Sequence, residues 1–158
     1  MRTVFLLILA ACSSDPGPAS FGDVLDDPEV PPRGGDDILT WLEAGHYLSW
    51  SCEPERHPPA PGSGHGPNRI CSNEVLVGAA NLDGEFPVGA ASVKEIFESD
   101  DSIVYAVYRK MEEVAGGNSW YWYEGTRDGN VANGLGDDTC TGCHGRAPRD
   151  FVYTIIDP

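Results

Sequence analysis

Basic side chains are scarce in this chain: 10 Lys and Arg stand against 25 Asp and Glu in 158 residues, a formal charge of −15. Such a surface repels phosphate backbones, so nucleic acid is excluded as a partner and any protein partner is expected to be basic. Methionine is nearly absent, represented only by Met1 and Met111. No apolar run reaches the roughly 20 residues of a bilayer-spanning helix. The run at 4–11, preceded by Arg2, is a short export signal instead. The length fits one domain, large enough to bury a core around a cofactor.

That signal ends in Leu9-Ala10-Ala11-Cys12, which resembles the lipobox of bacterial lipoproteins. The resemblance implies cleavage after residue 11 and a lipid on Cys12; the alternative is an ordinary secretory signal cut nearby. Both send the protein to the bacterial cell envelope. The expected address is its periplasmic side, held to a membrane only by the lipid.

Cysteine is limited to five residues, and three have separate tasks. Cys12 is assigned to lipid, Cys140 and Cys143 to the motif below. Cys52 and Cys71 remain, and an oxidising compartment makes a disulfide between them the expectation, with free thiols as the alternative.

The most informative stretch is Cys140-Thr141-Gly142-Cys143-His144. C-x-x-C-H is the spacing that attaches c-type haem: two thiols form thioethers to the vinyl groups, and the adjacent imidazole reaches the iron. One covalent haem c is therefore the expected cofactor, with His144 as axial ligand. Zinc would need two further ligands and a more favourably placed histidine. A dithiol redox pair would need a βαβ setting, whereas this motif lies between an Asn/Gly/Asp loop and Gly145.

Residues 12–35 are rich in Pro, Gly, Ser and Asp and read as a tether; 36–158 is the haem domain. Asp36 or Asp37 offers an N-cap to a helix with Ile38, Leu39, Trp41 and Leu42 on one face and Gly45 as its stop. Tyr47, Leu48 and Trp50 lead into a first strand. Further strands are predicted at 69–73, 91–97, 103–111, 120–123 and 151–156, with a Pro/Gly loop at 53–67 and a short helix at 74–81. The fold class is mainly β, with α+β character at the margin: a single antiparallel sheet, short flanking helices and a C-terminal haem-attachment helix.

Whether the iron's sixth position is filled decides between electron transfer and small-molecule binding. Met111 lies at the polar end of a strand, and His46, His57 and His65 are loop or helix-end residues. An open position is the better expectation, by elimination.

Four segments in order, Phe86-Pro-Val-Gly-Ala-Ala-Ser-Val-Lys94-Glu95, Trp120 to Tyr123, the haem motif and Asp150-Phe-Val-Tyr-Thr154, resemble the cytochrome P-460 family and its relative cytochrome c′-beta. The likeness spans 38–156. It implies a mostly β, homodimeric mono-haem cytochrome with five-coordinate iron on His144. In cytochrome P-460 a lysine is also bonded to the porphyrin edge, and Lys94 occupies the matching place. Members with that bond oxidise hydroxylamine towards nitric or nitrous oxide and hand electrons to a redox partner protein. Those without it bind nitric oxide or carbon monoxide behind an apolar cap. Active relatives carry a carboxylate in the loop before the motif; counted back without gaps, this chain has Leu135 there. Asp137 and Asp138 are the nearby acids, or else caps of the motif helix. Phe86, Phe97, Tyr105, Trp120 and Trp122 are available to close the distal side. Hydroxylamine oxidation is thus the enzyme hypothesis, a gas-binding protein its rival, and simple electron transfer the third.

Overall fold

The computed structural model describes residues 30–100 and 102–156. The expected signal, Cys12 and most of the tether lie outside these residues. Within them the chain forms one six-stranded antiparallel sheet whose strands pair in sequence order. They are β1 Ser51–Cys52, β2 Asn68–Ser72, β3 Ala91–Phe97, β4 Ile103–Lys110, β5 Trp120–Thr126 and β6 Gly129–Leu135. Three short helices flank the sheet: α1 Gly35–Glu43, α2 Glu74–Gly78 and α3 Asp138–His144. Mainly β with marginal helices is the class the sequence pattern implies. Among the described residues no helix is long and apolar enough to cross a membrane.

Successive strand side chains alternate between the two faces of a sheet, and here the faces are covered differently. On the first, Cys71, Val93, Val107, Tyr121 and Tyr123 pack against the apolar side of α1, Ile38, Trp41 and Leu42. Tyr47 and Trp50 complete this cluster, and each such side chain contributes about 2 kcal/mol on burial. On the second face Trp120 and Trp122 pack with Leu76, Ala79, Phe86 and Val152. Tyr108, Cys140 and Phe151 are partly buried beside them, which lays α3 and the chain after it on this side.

Several local expectations are corrected. The N-cap of α1 is Gly34, with no side-chain cap, and Asp36 and Asp37 lie in the first turn, where negative charge suits the helix dipole. The folded part begins before residue 36: Pro31 is fully buried, and the Arg109 guanidinium donates to its carbonyl at 2.6 Å. Residues His46–Ser49 form a 3-10 turn, following the left-handed Gly45, and it leads through Trp50 into β1. The predicted strand at 151–156 is absent, because Asp150 and Phe151 both take positive φ, 38° and 67°. Only the bridge between Arg149 and Val152 pairs there.

Cys52 and Cys71 face each other across β1 and β2 and are joined as a disulfide. Their sequence separation of 19 makes the closure worth about 3 kcal/mol through restriction of the unfolded chain. The loop so closed carries His57 and His65.

Candidate functional site

Helix α3 holds the motif, and local chemistry starts it where it does. Gly136 turns the chain out of β6 at φ 62°, and a Cβ there would lie 2.0 Å from the Asn118 side-chain oxygen. Asp137 then caps the helix, its Oδ1 accepting from Thr139 N at 3.0 Å. That settles its role as a cap, and Asp138 falls in the first turn. Gly117 lets the helix approach: a Cβ at that position would meet Thr141 Cγ2 at 2.5 Å.

Three residues apart on this helix, Cys140 and Cys143 are neighbours on its surface. Both thiols are free; Cys140 is half-buried and Cys143 exposed. Burial, with the charges of Asp137 and Glu124, pushes the Cys140 thiol up to about 12. A catalytic dithiol needs the opposite shift, so the direction of this one counts against the redox-pair alternative. Zinc fares no better: among the described residues no group of three or more His, Cys, Asp or Glu side chains is gathered to hold a metal ion.

The His144 ring is fixed. Its Nδ1 lies 2.7 Å from the Phe151 carbonyl oxygen, which can only accept, so Nδ1 carries the proton and Nε2 the lone pair. Nε2 makes no hydrogen bond among the described residues. Trp122, Tyr108 and Tyr153 surround the ring edge-on, with centroids 4.8, 6.0 and 5.4 Å away. Burial lowers its pKa and so does the charge of Lys94, while the Phe151 hydrogen bond opposes them. A neutral imidazole oriented through Nδ1 by a carbonyl is the ligand form that iron requires. Two free thiols and this imidazole on one helix fit the donor set of haem c.

Lys94 is on the same sheet face. Its register partner Ala106 pairs in turn with Glu124, so lysine and glutamate flank one alanine on the side that carries Tyr108 and Trp122. Lys94 is half-buried, and burial lowers its pKa against the pull of Glu124 and Glu53. Its amine makes no ion pair or hydrogen bond among the described residues. Burial likewise raises Glu124, with Lys94 drawing it back. His65 comes from the disulfide-closed loop, its Nδ1 3.7 Å from Glu124 Oε2. Burial, then Lys94 and His144, lower His65 to about 4. It is therefore neutral near pH 7, and the contact with Glu124 is too long for a hydrogen bond. A cavity of about 310 Å³ runs along this edge, lined in part by His65, Ile96, Val104 and Glu124. A larger hollow of about 600 Å³ between Arg56, Pro58, Phe97 and Glu98 contains none of these ionisable residues.

The other sequence candidates separate cleanly. Met111 and Tyr105 pack into the α1 cluster on the opposite face. His46 stacks on Trp41 of that cluster at 5.7 Å, and His57 is engaged by Pro58 O and Glu53. Leu135 pairs with Tyr121 and is half exposed, so the place where an acid was sought belongs to the wrong face. Glu124 and Tyr108 were missed, although Glu124 is two residues after Trp122 and Tyr108 lies within the strand predicted at 103–111. Searches of protein-family models, curated proteins and solved structures find no match to this chain.

Proposed function

We propose that the chain is an exported c-type cytochrome, of the cytochrome P-460 kind its sequence resembles, that oxidises a small nitrogen species such as hydroxylamine. The observation that carries this reading is the state of the motif. Two unpaired thiols sit one turn apart, and an imidazole has Nδ1 committed to Phe151 and Nε2 free of protein partners. When bound, the haem supplies the coordination position and the electron acceptor.

The chain supplies the rest. Cys140 and Cys143 would hold the group by thioethers, and His144 would ligate the metal. Lys94 offers a desolvated amine on the same sheet face, suited to the porphyrin edge or a propionate. Glu124, rather than Leu135 or Asp137, takes the proton from the N–H and O–H groups of the substrate. Its raised pKa moves it towards the range where a general base works at neutral pH. His65, neutral beside it, is the second acceptor. This pair of proton acceptors is what favours oxidation over gas binding, since a gas-binding cap needs apolar side chains only. Export to an oxidising compartment accords with the Cys52–Cys71 bond.

Expression with a c-type maturation system tests both layers. The expected product is coloured, carries the mass of one haem and loses it in Cys140→Ala/Cys143→Ala. Hydroxylamine turnover with an artificial electron acceptor is expected to fall about 100-fold in Glu124→Gln while nitric oxide binding persists. A colourless chain would overturn the cytochrome reading; a coloured one that binds nitric oxide but turns over no hydroxylamine would make it the gas-binding relative. A haem retained after both thioethers are cleaved would identify a further bond at Lys94.

A further inference from the structure

The buried ion pair between Lys110 and Asp150 lies outside the motif, yet it meets the motif through one peptide group. Lys110 is fully buried at the end of β4. Its ammonium donates to Asp150 Oδ2 at 2.7 Å and Oδ1 at 3.0 Å, to Ser119 Oγ at 2.9 Å and to Val114 O at 3.0 Å. Asp150 also accepts from Phe86 N at 2.8 Å and Trp120 Nε1 at 3.1 Å. Three donor groups therefore make four hydrogen bonds to one carboxylate. Asp150 and Phe151 are the two non-glycine residues with positive φ among those described, a conformation costing on the order of 1 kcal/mol or more each. Such strain persists only where the surroundings over-determine it. Here they do, and the turn aims the Phe151 carbonyl at His144 Nδ1.

We infer that Lys110 and Asp150 are positioning residues that set the orientation and donor strength of the His144 imidazole through the strained Asp150–Phe151 turn, and thereby tune the iron bound to it. The inference rests on the haem reading above. A carbonyl held short on Nδ1–H gives the ring imidazolate character, which strengthens its bond to iron and favours the oxidised metal. Arg149 secures the near end of the turn, donating to Gly84 O at 2.6 Å and Ala79 O at 2.7 Å. Tyr153 secures the far end through Cys143 O at 3.0 Å. The ring plane is thus fixed partly by Tyr153, which also packs on the ring, and partly by Lys110, Asp150 and Arg149, which act on it through the turn.

The test compares haem-loaded wild type with Asp150→Asn, which keeps the shape and removes the charge. Resonance Raman of the ferrous protein and redox titration are the readouts. The expected result is a lower iron–histidine stretching frequency and a raised reduction potential in the variant. Trp120→Phe, which removes one hydrogen bond from Asp150, is expected to shift both the same way by less, and it decides the matter where Asp150→Asn does not fold. A variant with one haem attached and both readouts at wild-type values would leave the pair a fold anchor and overturn the inference. A wild type that acquires no haem would overturn the functional reading first, and this one with it.

Discussion

Lys94 and Lys110 stand on the same face of neighbouring strands, yet they belong to different chemistry. Lys110 is sealed from solvent with the Asp150 carboxylate on its ammonium, that of Glu85 at 3.5 Å and two further acceptors. Lys94 is half-buried, its nearest charges felt through space. A lysine so fully answered is committed to holding structure, since removing either partner strands a charge in the interior. One left unanswered, with burial lowering its pKa, is available for the role proposed for Lys94 above.

Breaking the comparison at Lys110 gives the largest effect. Lys110→Met strands Asp150 and is expected to cost about 3–5 kcal/mol in urea unfolding, whereas Lys94→Met changes stability by less than about 1 kcal/mol. Equal losses at both sites would erase the distinction. The disulfide comes next. Cys52→Ser/Cys71→Ser is expected to cost about 3 kcal/mol and to loosen the loop bearing His65, exposing Lys94 to amine-acylating reagents without exposing Lys110. Unchanged reactivity at Lys94 would show that this loop does not cover it.

The smallest effect is pH-linked. His65 has an ordinary value of 6.5 and is held at about 4 by burial and by Lys94. Between those values the unfolded chain binds a proton that the folded chain refuses, so stability falls as pH drops from 6.5 to 4, by at most about 3 kcal/mol. Below 4 the penalty is complete and constant. Lys94→Met is expected to raise the His65 value and flatten that slope, while His65→Gln removes the His65 share and leaves the share of His144, whose pKa burial also lowers. An NMR titration of His65 in both backgrounds measures it directly.

How much of this could be read from the letters depends on whether neighbours in sequence carry the signal. The alternation through 91–97 and 103–110 located Lys94 on a strand, and the spacing of C-x-x-C-H put two thiols one turn apart on a helix that ends at His144. Glu124 was within reach, two residues after Trp122 and hence on its face. Strand β6 was not: Gly-Asn-Val-Ala-Asn-Gly-Leu has poor strand propensity, and only Ala132 is buried, so pairing with β5 makes the strand. At 151–156 the composition of Phe, Val, Tyr and Ile pointed the wrong way. There the turn is imposed by Lys110, 40 positions back along the chain from Asp150. No local pattern announces a partner that distant.

Each strand lies beside the one before it, from β1 through β6. A sheet wired in that way closes mostly short loops as it assembles, the kind of topology that folds without long searches. The segment bearing the two thiols lies outside the strand pairing, and Cys143 on it is exposed. Under the cytochrome reading proposed above, a haem joined to that segment would leave the strand pairing of the sheet undisturbed.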